Sequence, residues 1–353
     1  MRTDDAVPPR PALDAQQRER ALGVVVAAAA GDALGAPYEF QAPIPASDDV
    51  EMTGGGILGW EPGEWTDDTS MAVVLLEALS AVGGSTGFLD EETLDRVARG
   101  WFSWSMSTPD IGALTSTVIR RASEIAITEG RTVPAAADFR TAALHAHEDL
   151  PQIAGNGALM RIHVSVLPHL HGSDAEVRAA IEAVCLLTHV HPDVVDACLL
   201  WGFAVRRAVL TGEVDVRTGL GQLAPERAPL WEERIEAAEA AEPAVFGRNG
   251  WVVHAFQAAW SAIHHAGPIP EGRFAQRDHL VAVLEAAVRA GYDTDTIACI
   301  AGALIGGALG HRAVPPEWRR ALFGWPVYEV DDLVELAEAA IAPRGAGLER
   351  RLL

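Results

Sequence analysis

Lysine is missing from this sequence; all 27 basic residues are arginine. That rules out a phosphate-loop lysine and a Schiff-base amine, and with them two common enzyme classes. Cysteine is scarce. Cys185, Cys198 and Cys299 are odd in number, far apart and without a C-x-x-C pair, so neither a disulfide framework nor a zinc ribbon fits, and a reducing cytoplasm is the expected location. Positive charge is short overall, 49 acidic residues against 27 basic giving a formal net charge of -22. Such a surface repels phosphate backbones and anionic membranes, so neither general nucleic-acid binding nor membrane association is expected. Long hydrophobic runs are few: Asp32 interrupts the run from Val24 to Ala36, and Ile297 to Gly310 falls short of the ~20 residues that span a bilayer. The first residues, "MRTDDAVPPRPALDAQQRER", are polar and proline-bearing rather than signal-like.

What is present is a large apolar fraction. With 49% hydrophobic and 22% charged residues the chain can bury a substantial core. Its 353 residues would allow two domains. Most long segments, however, repeat apolar residues at helical spacing, as in "DRVARGWFSWSM", "SDAEVRAAIEAVCLLTHV" and "DVVDACLLWGFAVRRAVL", and no convincing set of alternating strands interrupts them. The breaks "STPD", "HGSD" and "HHAGPIPEG" have the length of helix-to-helix connections, not of an interdomain linker. The expectation is one all-α domain over residues 15–343, with a flexible segment at 1–14 and a tail at 344–353. Gly212 to Arg248 is acidic and weak in pattern, and reads as an excursion containing a surface helix followed by a loop. Gly23, Ala27, Gly31 and Gly35 recur every four residues, as do Gly302, Gly306 and Gly310. Such faces let helices approach closely and form a rigid base for the loops at their ends.

Two acidic clusters stand at the heads of apolar helices: "EWTDDTSM" from Glu64 and "GYDTDTIA" from Gly291. Either one alone reads as a helix cap. If the two ends converge, Asp67, Asp68, Asp293 and Asp295 crowd four carboxylates that repel without compensation. Two divalent cations, Mg2+ or Mn2+, would neutralise them, with the hydroxyls of Thr66 and Thr296 as neutral oxygen ligands.

Between the clusters lie "GDALGAPYEF", "PDIGALTSTV", "AGNGALMR" and "LTHVHPD". This ordered set, from about Gly23 to Gly310, resembles the ADP-ribosylglycohydrolase family. The resemblance implies a compact, single-domain, orthogonal helical bundle around a central dinuclear metal site, with Thr66, Asp67, Asp68, Asp293, Asp295 and Thr296 as the metal ligands. It implies that Glu39 covers the site near water or the scissile bond. It also implies that Asp110 is the acid/base group beside that bond, where the alternative is an N-cap through Thr117. Gly155, Asn156 and Gly157, set before an expected helix, would bind ADP-ribose, and His189 would line the same pocket. The implied activity is hydrolysis of the bond between ADP-ribose and an acceptor, first of all arginine on a protein. The alternatives are an O-linked conjugate of serine or a small metabolite, and a noncatalytic, crystallin-like or ADP-ribose-binding member. Tyr292 departs from the family, which often has glycine there. His191, alternate to His189 in sequence, is not expected to share a metal with it.

Overall fold

In a computed structural model the structure describes residues 12–82 and 87–342. The segments expected to be separate at 1–14 and 344–353 therefore fall, apart from residues 12–14, outside the described residues. Thirteen α-helices are described: α1 (Ala15–Gly35), α2 (Asp67–Ala81), α3 (Glu91–Ser105), α4 (Ala113–Thr128), α5 (Ala136–Asp149), α6 (Asp174–Cys185), α7 (Pro192–Thr211), α8 (Ala228–Glu239), α9 (Val252–His265), α10 (Arg273–Val288), α11 (Thr294–Leu309), α12 (Pro316–Ala321) and α13 (Val330–Ile341). The fold is all-α. The exception to the strand-free expectation is a two-residue antiparallel pair, β1 (Phe323–Gly324) with β2 (Tyr328–Glu329). It has a local use: the Trp65 N–H donates to the Phe323 carbonyl at 3.0 Å and the Phe323 N–H to the Gly63 carbonyl at 3.1 Å, which pins the loop leading into α2.

The small-residue faces of α1 and α11 pack against each other. A Cβ built on Gly31 would lie 2.1 Å from the Ala298 carbonyl oxygen, one on Gly302 2.2 Å from that of Ala27, and one on Gly306 2.2 Å from that of Gly23. The two backbones touch, which no side chain at these positions would allow. The pairing order is antiparallel, since Gly23 meets Gly306 while Gly35 meets the backbone of Asp295. The C-terminal end of α1 is thereby set against the N-terminal end of α11. Although α1 is apolar and long enough to cross a bilayer, it is buried inside the protein, and one continuous core runs around it from Ala21 to Ala340. The three cysteines are buried free thiols within that core.

The acidic stretch read as an excursion is only partly one. Helix α8 buries Trp231, Ile235 and Ala238, and the loop after it turns inward to bring Asn249 against the head of α11.

Candidate active site

Three helix ends meet at one place: the C-terminus of α1 and the N-termini of α2 and α11. The cap that sequence would place on α2 is absent, because Thr66 makes no capping bond with its side chain. Asp32, fully buried near the end of α1, does that job from a neighbouring helix. Its Oδ1 accepts the Thr66 N–H at 2.9 Å, and its Oδ2 accepts the Thr69 N–H at 2.9 Å and the Thr69 hydroxyl at 2.5 Å. With the Thr66 and Thr69 N–H groups bound from outside the helix, the usual side-chain cap at Thr66 is replaced. Asp293 at the head of α11 likewise makes no capping bond.

The two heads are cross-linked. The Thr66 hydroxyl donates to Asp295 Oδ2 at 3.2 Å, and the Thr296 hydroxyl donates to Asp68 Oδ2 at 3.2 Å. Asp68 and Asp295 are buried, and the Oδ1 of each has no hydrogen-bond partner. Carboxylate oxygens of Asp32, Asp68 and Asp295 lie within 4.8 Å of one another, and so do those of Glu39, Asp110 and Asp295. Burial first, then mutual repulsion, pushes Asp67, Asp68 and Asp295 well above the usual carboxylate range. Asp293 is raised by burial, against the stabilising bond from Asn156. Orphaned buried oxygens, hard donors and uncompensated negative charge are what a divalent-cation site needs, so these residues fit the metal that the sequence implied.

Glu39 is not an exposed loop carboxylate; it is 9% exposed. Burial and the nearby charges of Asp110 and Asp293 push it up to about 9. Asp110 is half-buried and raised to about 6 by burial, then by Asp32 and Asp293. The N-cap alternative does not hold: the N-cap of α4 is Gly112, with no side-chain capping bond, and Thr117 donates to the Ala113 carbonyl at 2.9 Å.

The glycine loop departs from expectation. It leads not into an α-helix but into a long 3-10 segment, Leu159–His169. The Asn156 N–H is already committed to the Gly250 carbonyl at 3.2 Å. The Asn156 side chain donates to Asp293 Oδ2 at 2.8 Å, so this residue orients an acidic group. Gly155 and Gly157 leave room beside His189: a Cβ on either would meet the His189 ring at 3.3 to 3.7 Å. His189 is buried and bonded through Nδ1 to Thr188 Oγ1 at 2.7 Å.

Two contributors do not stand out in the sequence. Asp32 registers there only as a charge interrupting an apolar run. Asn249, buried in "GRNGW", accepts the Asp293 N–H at 3.2 Å and donates to the Gly291 carbonyl at 2.8 Å; its signal is an asparagine-glycine turn within a segment of weak pattern. Tyr292 sits at φ 63° with its ring against Gly247. That left-handed conformation costs a tyrosine more than a glycine, and two short backbone bonds, to Gln41 and from Phe40, both 2.6 Å, hold it there.

Fold and site together define an all-α enzyme built around a buried carboxylate centre of the kind that takes divalent cations. The chain belongs to the ADP-ribosylglycohydrolase family, whose profile matches residues 13–348. It is 29% identical over 308 residues to the ADP-ribosyl-[dinitrogen reductase] glycohydrolase of Rhodospirillum rubrum, covering 85% of this chain and 89% of that one. It is 27% identical over 314 residues to the ADP-ribosylarginine hydrolase Tri1 of Serratia proteamaculans (strain 568), covering 88% and 77%. A solved structure described as an ADP-ribosylglycohydrolase-related protein complex aligns with a TM-score of 0.60 at 26% identity, over 92% of this chain and 98% of that one.

Proposed function

We propose that the protein hydrolyses the N-glycosidic bond between ADP-ribose and an arginine side chain of a modified protein. The observation that carries this reading is the cross-linked pair of acidic helix heads, with Asp68 Oδ1 and Asp295 Oδ1 buried and unpartnered beside Glu39 and Asp110. The arginine linkage is favoured by the similarity to the Serratia ADP-ribosylarginine hydrolase. In this reading Thr66, Asp67, Asp68, Asp293, Asp295 and Thr296 hold two divalent cations, Mg2+ or Mn2+. When bound, the cations supply oxygen-seeking positive charge that orients the ribose through its hydroxyls.

The remaining work falls to protein groups. Asn156 and Asn249 hold Asp293 in place, and Asp32 holds the head of α2. Gly155, Gly157 and His189 take the ADP-ribose. As the bond at ribose C1 breaks, positive charge grows on the sugar, and the surrounding carboxylates stabilise it. Asp110, held near neutrality, carries the proton between water and the departing acceptor, and Glu39 holds the attacking water. The test is release of ADP-ribose from arginine-, serine- and nucleobase-linked substrates, with and without Mg2+ or Mn2+. Cation-dependent release from the arginine conjugate is expected; release from the serine conjugate alone moves the assignment to O-linked substrates, and binding without any release makes the protein an ADP-ribose binder.

A further inference from the structure

Arg161 closes the "AGNGALMR" stretch, is fully buried and has no part in the chemistry proposed for the carboxylate centre. Its guanidinium lies 4.5 Å above the Trp101 ring, its Nη1 donates to the Gly157 carbonyl, and its Nη2 donates to Thr188 Oγ1 at 2.6 Å. The same Thr188 oxygen lies 2.7 Å from His189 Nδ1. One buried cation thus touches both the glycine loop and, through one hydroxyl, the histidine facing that loop.

The direction of each bond is set by what the groups can do. Arginine only donates, so Thr188 Oγ1 accepts from Nη2. Thr188 is 1% exposed, and its hydroxyl proton needs an acceptor because an unmade bond in the interior is costly. Among the described residues the acceptor within reach is His189 Nδ1. If Nδ1 carried the ring proton instead, two protons would compete for one bond and the hydroxyl would be stranded. Nδ1 is therefore the bare nitrogen, and in the neutral ring the proton sits on Nε2. The ring is neutral, since burial, then Arg161, pulls His189 down to about 3. The Nε2 edge faces the glycine loop: a Cβ on Gly157 would lie 3.4 Å from Nε2 and one on Gly155 3.7 Å.

We propose that Arg161 and Thr188 are positioning residues which fix His189 as a neutral Nε2–H donor aimed across Gly155 and Gly157 at an anionic oxygen of the bound ligand. His189 on this account is not a proton carrier. Holding the Gly157 carbonyl and the histidine tautomer from one guanidinium keeps donor and loop in register. The ligand half of the proposal rests on the proposed ADP-ribose hydrolase function; the tautomer half stands without it.

The test is long-range proton–nitrogen NMR on [15N]histidine-labelled full-length protein, with the His189 signals located by their loss in His189→Gln. Nε2 should be protonated and Nδ1 bare in the wild type from pH 6 to 8. Thr188→Val should abolish that single tautomer and Thr188→Ser should restore it. A ring protonated at Nδ1 in the wild type, or a tautomer unmoved by Thr188→Val, overturns the relay. In calorimetry with Mg2+ and ADP-ribose, Thr188→Val should weaken binding by roughly tenfold or more, the scale of one hydrogen bond to a charged group, while Thr188→Ser stays near wild type. Equal binding by the valine variant overturns the donor role toward ligand. A wild type with the expected tautomer that binds no ADP-ribose rejects the functional reading and supports the relay by its spectrum.

Discussion

Asp68 and Asp295 each bury one carboxylate oxygen without a partner, while the other oxygen of each is bonded to the threonine of the opposite helix head. A side chain kept for packing would not be left this way, because an unmade bond in the interior costs about 1–3 kcal/mol and more when charged. Asp295→Asn removes charge but not volume, so the fold should persist while cation affinity and most activity disappear. Calorimetric cation titration and circular dichroism decide this, and normal affinity with normal turnover would reject the ligand assignment. Asp110 separates differently. Its carboxylate caps nothing, and burial places it near neutrality. Asp110→Asn should retain cation and ADP-ribose affinity close to wild type while lowering turnover by about 10² to 10⁴, the range of general acid/base catalysis. Should binding fall in proportion to turnover, Asp110 belongs with the ligands and Glu39 is next in line as proton carrier.

The helices bring these residues together through contact between backbones. Glycine in a helix interior normally costs about 1 kcal/mol against alanine, so Gly→Ala usually stabilises. At Gly306 the sign reverses, because the new Cβ would lie 2.2 Å from the Gly23 carbonyl oxygen. Gly306→Ala should cost about 1–3 kcal/mol by overpacking, and because α1 and α11 carry Asp32 and the Asp293–Thr296 head it should weaken cation binding too. Gly221→Ala, with open space around the added carbon, should stay within roughly 0.5 kcal/mol of wild type. Denaturant titration compares the two, and a stabilised Gly306→Ala would contradict the close packing. The four-residue glycine spacing makes this helix pair legible in the sequence, since period and residue size are enough. The acidic heads are legible for the same local reason. Asp32 and Asn249 are not, because each acts on a segment distant in sequence: Asp32 on Thr66 at the head of α2, 34 positions on, and Asn249 on Asp293, 44 positions on. The 3-10 course of Leu159–His169 is hidden as well, because a run of small and apolar residues serves either helix; its entry is a tight three-residue bond from the Leu159 N–H to the Asn156 carbonyl at 2.8 Å.

Over the whole molecule, negative charge is distributed unevenly in its consequences. Away from the centre a number of acids have arginine partners, as in Arg217 with Glu232 and Glu239 or Arg227 with the buried Asp193 and Asp196, whereas the acids of the centre have no arginine ion-pair partner among the described residues and face one another. In the cation-free protein these central carboxyls hold protons more tightly than in the unfolded chain, where they titrate near pH 4. A raised folded pKa gives stability that is complete below the unfolded value and lost as pH rises through the folded one. The loss should therefore run from about pH 4 upward, through about 6 for Asp110 and about 9 for Glu39. Buried His163 and His189, pulled down to about 4 and about 3, act in the opposite direction, costing stability as pH falls below the unfolded histidine value of about 6.5. They do so with or without cation, so they cancel in the difference. Divalent cations bind the deprotonated cluster and stabilise the fold in proportion to that binding. The rise in melting temperature on adding saturating Mg2+ or Mn2+ should thus be small at pH 5 and grow steadily to pH 9. Differential scanning calorimetry at matched ionic strength measures it, with sodium chloride as the control for screening of the -22 net charge. A cation increment that is flat with pH, or that sodium chloride reproduces, would mean that the buried carboxylates are not where the cations bind.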